Sequence, residues 1–109
     1  MEKEKFQDRR VFERFLTSLA VRFLDVNLNR EGSARTKDIC AKGVGLVTSE
    51  ELPIHSALEI WLEIPDKGEP FYTRGETIWS QSQGLNEYRI GINLEKADLM
   101  GLSRVLRVK

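Results

Sequence analysis

Leu58-Glu59-Ile60-Trp61-Leu62-Glu63-Ile64 decides the class of fold. Four aliphatic side chains alternate with two acids and an indole. That period of two belongs to a strand with one face in a core and the other outside. Behind it, Pro65-Asp66-Lys67-Gly68 reads as a turn. In front of it, Ser49 to Pro53 reads as a connection, because Pro53 disfavours helix there. Downstream, Phe71 to Ser80 reads as a less regular strand and the polar run Gln81 to Asn86 as a loop. Tyr88, Ile90, Ile92 and Leu94 then alternate with Arg89, Gly91 and Asn93, a final strand. After Leu94 the period lengthens. Leu99, Leu102 and Leu106 stand at i, i+3 and i+7, which predicts a helix. Arg104, Arg107 and Lys109 suit its negative pole, although Gly101 costs helix stability.

Upstream of the quoted stretch, Phe15 to Leu28 is a long apolar run. Leu19, Val21 and Phe23 share one parity, and Leu24, Val26 and Leu28 the other. The change of phase predicts a bulge or bend near Phe23–Leu24. Glu31-Gly32-Ser33 reads as a hairpin turn. A strand from about Ala34 to Cys40 follows, then a short one, Val44 to Thr48, after a break marked by Gly43 and Gly45. Several short, closely spaced strands and one terminal helix predict a mainly β protein, a small antiparallel barrel with a C-terminal helix. Residues 1–8 are expected to be a mobile polar arm and residues 9–109 a single domain. The barrel is expected over about 15–94 and the helix over about 95–107.

The chain has 109 residues, enough for one small domain. It carries 17 basic and 17 acidic side chains, a net charge of zero. General nucleic-acid binders show a basic excess, so neither DNA nor RNA is the expected partner and any anion site must be local. One cysteine forms no internal disulfide, and one cysteine with one histidine makes no zinc site of the thiolate/imidazole kind. No run reaches the roughly 18 apolar residues of a membrane span, and the N-terminus is unlike a signal peptide. The expectation is a cytoplasmic protein without membrane insertion. There is no glycine-rich phosphate loop, no nucleophile elbow and no H-E-x-x-H, so no enzyme and no cofactor is expected.

Two short motifs carry the chemistry. Arg10-Val11-Phe12-Glu13-Arg14, with Arg9 in front, precedes the first apolar run, and Asp38-Ile39-Cys40-Ala41-Lys42-Gly43 follows it. Arginine supplies planar, bidentate donors to phosphate and to the O6/N7 edge of guanine. Aspartate accepts amide or amine donors. Glycine lets backbone approach a ligand closely. Arg10 and Arg14 share a side in an extended chain, about 13 Å apart at ~3.3 Å per residue, and share a face in a helix as well. Trp61 is expected on the outer wall, Trp79 and Tyr88 in core or rim packing in preference to stacking on a purine, and the isolated His55 on the surface.

This layout resembles the PilZ domain family, which binds the bacterial second messenger cyclic di-GMP. The family pattern is R-x-x-x-R followed by [DN]-x-S-x-x-G. Here it reads Arg10 and Arg14, then Asp38, Cys40 and Gly43, with cysteine in place of the usual serine. Gly43-Val44-Gly45-Leu46, Gly75 to Trp79 and Tyr88 to Ile92 extend the likeness over roughly residues 8 to 95. The resemblance implies a six-stranded antiparallel barrel of split-barrel type with a C-terminal helix. It also implies a receptor or adaptor in which Arg9, Arg10 and Arg14 grip guanine and phosphate, Asp38 holds a guanine edge or orders the arginines, and Gly43 lies beside the ligand. Arg9 as an additional fork suggests an intercalated pair of cyclic di-GMP molecules. The arm would close on the ligand and signal to a downstream protein. Cysteine for serine would cost about one neutral hydrogen bond, ~0.5–1.5 kcal/mol, a threefold to tenfold loss of affinity at about 1.4 kcal/mol per decade. The alternative is a ligand-silent module for protein–protein interaction.

Overall fold

Alternation builds the barrel in the computed structural model of the chain, which describes residues 14–96 and 99–108. Arg9, Arg10 and the expected arm at 1–8 lie outside the described residues. The elements are β1 (Phe15–Leu16), β2 (Ala20–Asp25), β3 (Arg30–Cys40), β4 (Gly43–Thr48), β5 (Ala57–Leu62), β6 (Phe71–Gly84), β7 (Glu87–Leu94) and α1 (Leu99–Val108). All pairings are antiparallel. The order β3-β2-β5-β6-β7-β4 closes on itself through β3–β4, a six-stranded barrel, and β1 pairs with β3 on the outside. Closure leaves only short edges exposed.

The quoted stretch behaves as its pattern demands. Leu58, Ile60 and Leu62 point inward and are buried, and Ile64 beyond the strand joins them. They meet Val21, Leu46, Ile90 and Ile92 in one core. Trp61 stands on the outer wall, in a row with Arg22 and Tyr72. Helix α1 closes one end with Leu102 and Val105. Gly101 is required there, since a Cβ would fall 2.5 Å from Phe71 Cζ. Arg104 on the helix grips Asp66 through Nε at 2.7 Å and Nη2 at 2.8 Å. That fork, with the Gly68 N–H, holds the Asp66 carboxyl far below the usual carboxylate range.

Three expectations from parity and turn chemistry are corrected. There is no bulge at Phe23–Leu24. Strand β2 keeps one register throughout, and the inward position after Phe23 is taken by Asp25, only 3% exposed. Its Oδ1 accepts the N–H groups of Asn27 and Leu28, so it caps the turn that follows. Val26 and Leu28 are simply exposed. The hairpin turn lies at residues 26–29, with Asn29 at φ 50°, and not at Glu31–Ser33. Gly32 sits inside β3 opposite Phe23, where a Cβ would fall 2.3 Å from the ring. The glycine makes room for an aromatic ring and turns nothing. Third, the polar run 81–84 is strand: β6 continues to Gly84, and the turn is Leu85–Asn86. Polarity there reflects exposure on both faces, not the absence of pairing.

Candidate ligand-binding site

Two β-bulges aim the site. In β3, Ala34 and Thr36 point into the core, and simple alternation would send Asp38 after them. The register slips at Lys37, so that Thr36 faces Leu46 but Asp38 faces Gly45. After this one extra residue Ile39 and Ala41 point inward and Asp38 turns outward, while Cys40, of the same parity as Asp38, is only 5% exposed. In β6, Gly75 and Thr77 point inward, and Trp79 would follow. A second slip at Ile78 sends Trp79 outward instead, opposite Gly91.

The register then sets Asp38, Gly45, Gly91 and Trp79 side by side on β3, β4, β7 and β6. The two glycines form a floor without side chains. A Cβ on Gly45 would fall 2.7 Å from Asp38 Oδ1, and one on Gly91 would fall 2.1 Å from Trp79 Nε1. Each end residue thus leans over the glycine beside it. Trp79 remains 40% exposed.

Arg14, just before β1, reaches over this row. Its Nη2 and Nε both donate to Asp38 Oδ1, at 2.6 and 2.9 Å, and its Nη1 donates to Cys40 Sγ at 3.5 Å. Gly43 faces Cys40 in the β3–β4 register, and a Cβ there would meet Arg14 Nη1 at 3.4 Å. The four expected residues Arg14, Asp38, Cys40 and Gly43 therefore meet, with Trp79 and Asn93, around one pocket of about 390 Å³. A larger and shallower hollow of about 820 Å³ lies over Leu16, Arg35 and Val47, away from this convergence.

The pocket brings together an indole, a guanidinium and a carboxylate. An exposed indole offers a stacking face, worth about 1–3 kcal/mol per base. A guanidinium offers forked donors to phosphate or to a purine O6/N7 edge. The Asp38 carboxylate and the backbone at Gly43 and Gly91 complete it. Of the places expected for Trp79, the structure gives the rim: it is 40% exposed and forms a wall of the pocket. The signal that marks it is Gly91, an isolated glycine inside a regular strand pattern, which points to a close approach from a neighbour. Tyr88 packs against the core as expected. His55 is on the surface, with Nδ1 2.8 Å from Glu76 Oε2.

The PilZ domain family matches residues 8–107 of the 109. The chain belongs to the PilZ domain family. The PilZ fold recurs in solved structures at low identity. The Bacillus subtilis inhibitor of motility MotI/DgrA is 13% identical with a TM-score of 0.68, over 91% of this chain and 48% of that one. The PilZ domain of CeSA from a cellulose-synthesizing bacterium is 16% identical with a TM-score of 0.63, over 87% and 92%. The Borreliella burgdorferi PlzA protein, solved in complex with c-di-GMP, is 10% identical with a TM-score of 0.58, over 99% and 54%. This PilZ chain thus spans about half the length of the motility inhibitor and of PlzA. No curated protein matches it. Among the described residues no helix is long and apolar enough to cross a membrane, and no group of His, Cys, Asp and Glu side chains could hold a metal ion.

Proposed function

We propose that this PilZ domain is a cyclic di-GMP receptor that acts as an adaptor and not as an enzyme. The observation that carries the reading is the 2.6 Å contact of Arg14 with Asp38. It joins the last residue of R-x-x-x-R to the first of D-x-C-x-x-G, 24 positions apart, at one pocket. The PlzA neighbour, solved with c-di-GMP, supports the choice of ligand.

In this reading one guanine stacks on Trp79 above Gly91. Arg10 and Arg14 grip phosphate and the O6/N7 edge, Asp38 orders the arginines or takes a guanine N–H edge, and Gly43 lets the ligand lie close to the backbone. Arg9 serves a second nucleotide in an intercalated pair. Closing the N-terminal arm over the ligand costs about 1–2 kcal/mol per ordered residue, which charge-assisted, bidentate contacts to two phosphates must exceed. The relocated arm offers a new surface to a downstream protein, a shift of population driven by differential affinity.

Calorimetric titration with cyclic di-GMP, with GTP and cyclic di-AMP as controls, tests the reading. Saturable heat with cyclic di-GMP alone is expected. Its absence would leave the ligand-silent interaction module as the better account. One ligand per protomer would remove the intercalated pair.

A further inference from the structure

A second carboxylate stands on the same wall. In the next cross-strand row the register pairs Cys40 with Gly43, Gly43 with Asn93, and Asn93 with Glu76. Asp38 ends its row on β3, and Glu76 ends this one on β6. The two acids therefore occupy diagonal corners of a four-stranded wall, three inter-strand spacings across (~14 Å) and two residues along the strands (~7 Å). Each has a nitrogen base beside it: Arg14 Nη2 lies 2.6 Å from Asp38 Oδ1, and His55 Nδ1 lies 2.8 Å from Glu76 Oε2. The backbone holds His55 in place. Its N–H donates to Thr77 O at 2.7 Å, and its φ of 67° is the left-handed conformation that a side chain rarely adopts. A hollow of about 410 Å³ opens between His55, Glu76, Asn93 and Lys42, and the last two line the first pocket as well. The two hollows are neighbours on one surface.

We infer that Glu76, positioned by His55, reads a second guanine of the bound ligand, while Arg14, Asp38 and Trp79 take the first. The inference rests on the cyclic di-GMP reading and adds a base-specific site to it. Guanine presents N1–H and the 2-amino group side by side, a pair of donors that one carboxylate accepts with both oxygens. Adenine presents an acceptor at that edge, whose lone pair faces the carboxylate. A ligand with two identical bases is matched by a wall with the same acceptor chemistry at opposite corners. His55 touches Glu76, not the base, so it sets the angle of the carboxylate.

The test is calorimetry with cyclic di-GMP and with the mixed dinucleotide cyclic GMP–AMP, which carries one guanine. The wild type is expected to prefer cyclic di-GMP by roughly tenfold or more, the scale of one bidentate base contact. Glu76→Gln is expected to weaken cyclic di-GMP by a similar factor and to bring the two ligands level. His55→Ala is expected to narrow the preference in the same direction by less. Both side chains are exposed, so these variants keep the fold, and circular dichroism verifies it. An unchanged preference in Glu76→Gln, with binding intact, overturns this inference alone. No cyclic di-GMP binding by the wild type overturns the receptor reading and this inference with it.

Discussion

Asp38 and Trp79 stand at the two ends of one cross-strand row, and each leans over the glycine next to it, Gly45 or Gly91. Both would point into the core if their strands alternated without interruption. A single extra residue in each strand, Lys37 in β3 and Ile78 in β6, turns them outward to the same surface. The site is thus made by two local defects in pairing, one on each side of the glycine pair.

The glycine floor gives the first prediction. An alanine Cβ at Gly91 would lie 2.1 Å from the Trp79 indole nitrogen, and the obstacle is a side chain on a surface. In Gly91→Ala the indole must swing away while the barrel survives. Tryptophan emission and near-ultraviolet dichroism should change, far-ultraviolet dichroism should not, and cyclic di-GMP should bind about tenfold more weakly, in line with ~1–3 kcal/mol for one stacked base. Unaltered emission together with unaltered affinity would show that the indole has no part in the site.

The Arg14–Asp38 pair is half open to water, with side-chain exposures of 47% and 16%. Such pairs contribute about 1 kcal/mol or less to stability. Arg14→Ala and Asp38→Ala should therefore unfold within a few degrees of the wild type, and Arg10→Ala should too, yet all three should lose ligand binding. Retained affinity in both Arg10→Ala and Arg14→Ala would defeat this placement of the site.

Cys40 accepts from Arg14 through sulfur at 3.5 Å. A hydroxyl is the stronger partner. Cys40→Ser should tighten cyclic di-GMP by about threefold to tenfold, the value of one neutral hydrogen bond of ~0.5–1.5 kcal/mol. Titration of the two proteins side by side measures it, and a weaker Ser variant would contradict it.

Acid should loosen the helix clamp. Arg104, hydrogen-bonded to Asp66, depresses the folded-state pKa of that carboxyl below its unfolded value of about 4. A depressed carboxyl stabilises the fold above the unfolded pKa and loses that contribution as pH falls through the folded one. Asp66→Asn should therefore melt below the wild type at pH 7, and the gap should shrink as pH drops below about 4. Thermal melts of both proteins at pH 7 and pH 3 check the sign. A gap that widened in acid would refute it.

Gly32 faces a ring that cannot leave. Phe23 is only 3% exposed, and a Cβ at Gly32 would fall 2.3 Å from its Cζ. Gly32→Ala should cost about 1–3 kcal/mol as overpacking, read as a lower midpoint in urea. A turn residue with open space around it would tolerate alanine, so a neutral result would contradict the pairing of Gly32 with Phe23.

Much of this was legible in residue patterns. The alternation in Leu58–Ile64 and Tyr88–Leu94 survives intact, because a period of two needs only one buried face. The motif residues Arg14, Asp38, Cys40 and Gly43 line one pocket. The exceptions have separate causes. Parity assigns a side chain to a face only while pairing is regular, so the outward turn of Trp79 was not legible; near Phe23–Leu24 the pairing is regular, and the apolar Val26 and Leu28 misled because they are exposed. A glycine in sequence likewise looks the same whether it serves a turn or a ring, as Gly32 shows.

The amino-acid order by itself determined the class of fold, the sequence of strands and the final helix, since these follow from which residues must leave water and at what period. Only the tertiary structure decided the register of β3 against β4 and of β6 against β7, and with it which side chains share a surface. Register is a property of two strands at once. No single stretch of chain contains it, and a slip of one residue is what separates a buried Asp38 and Trp79 from a pair lining one pocket.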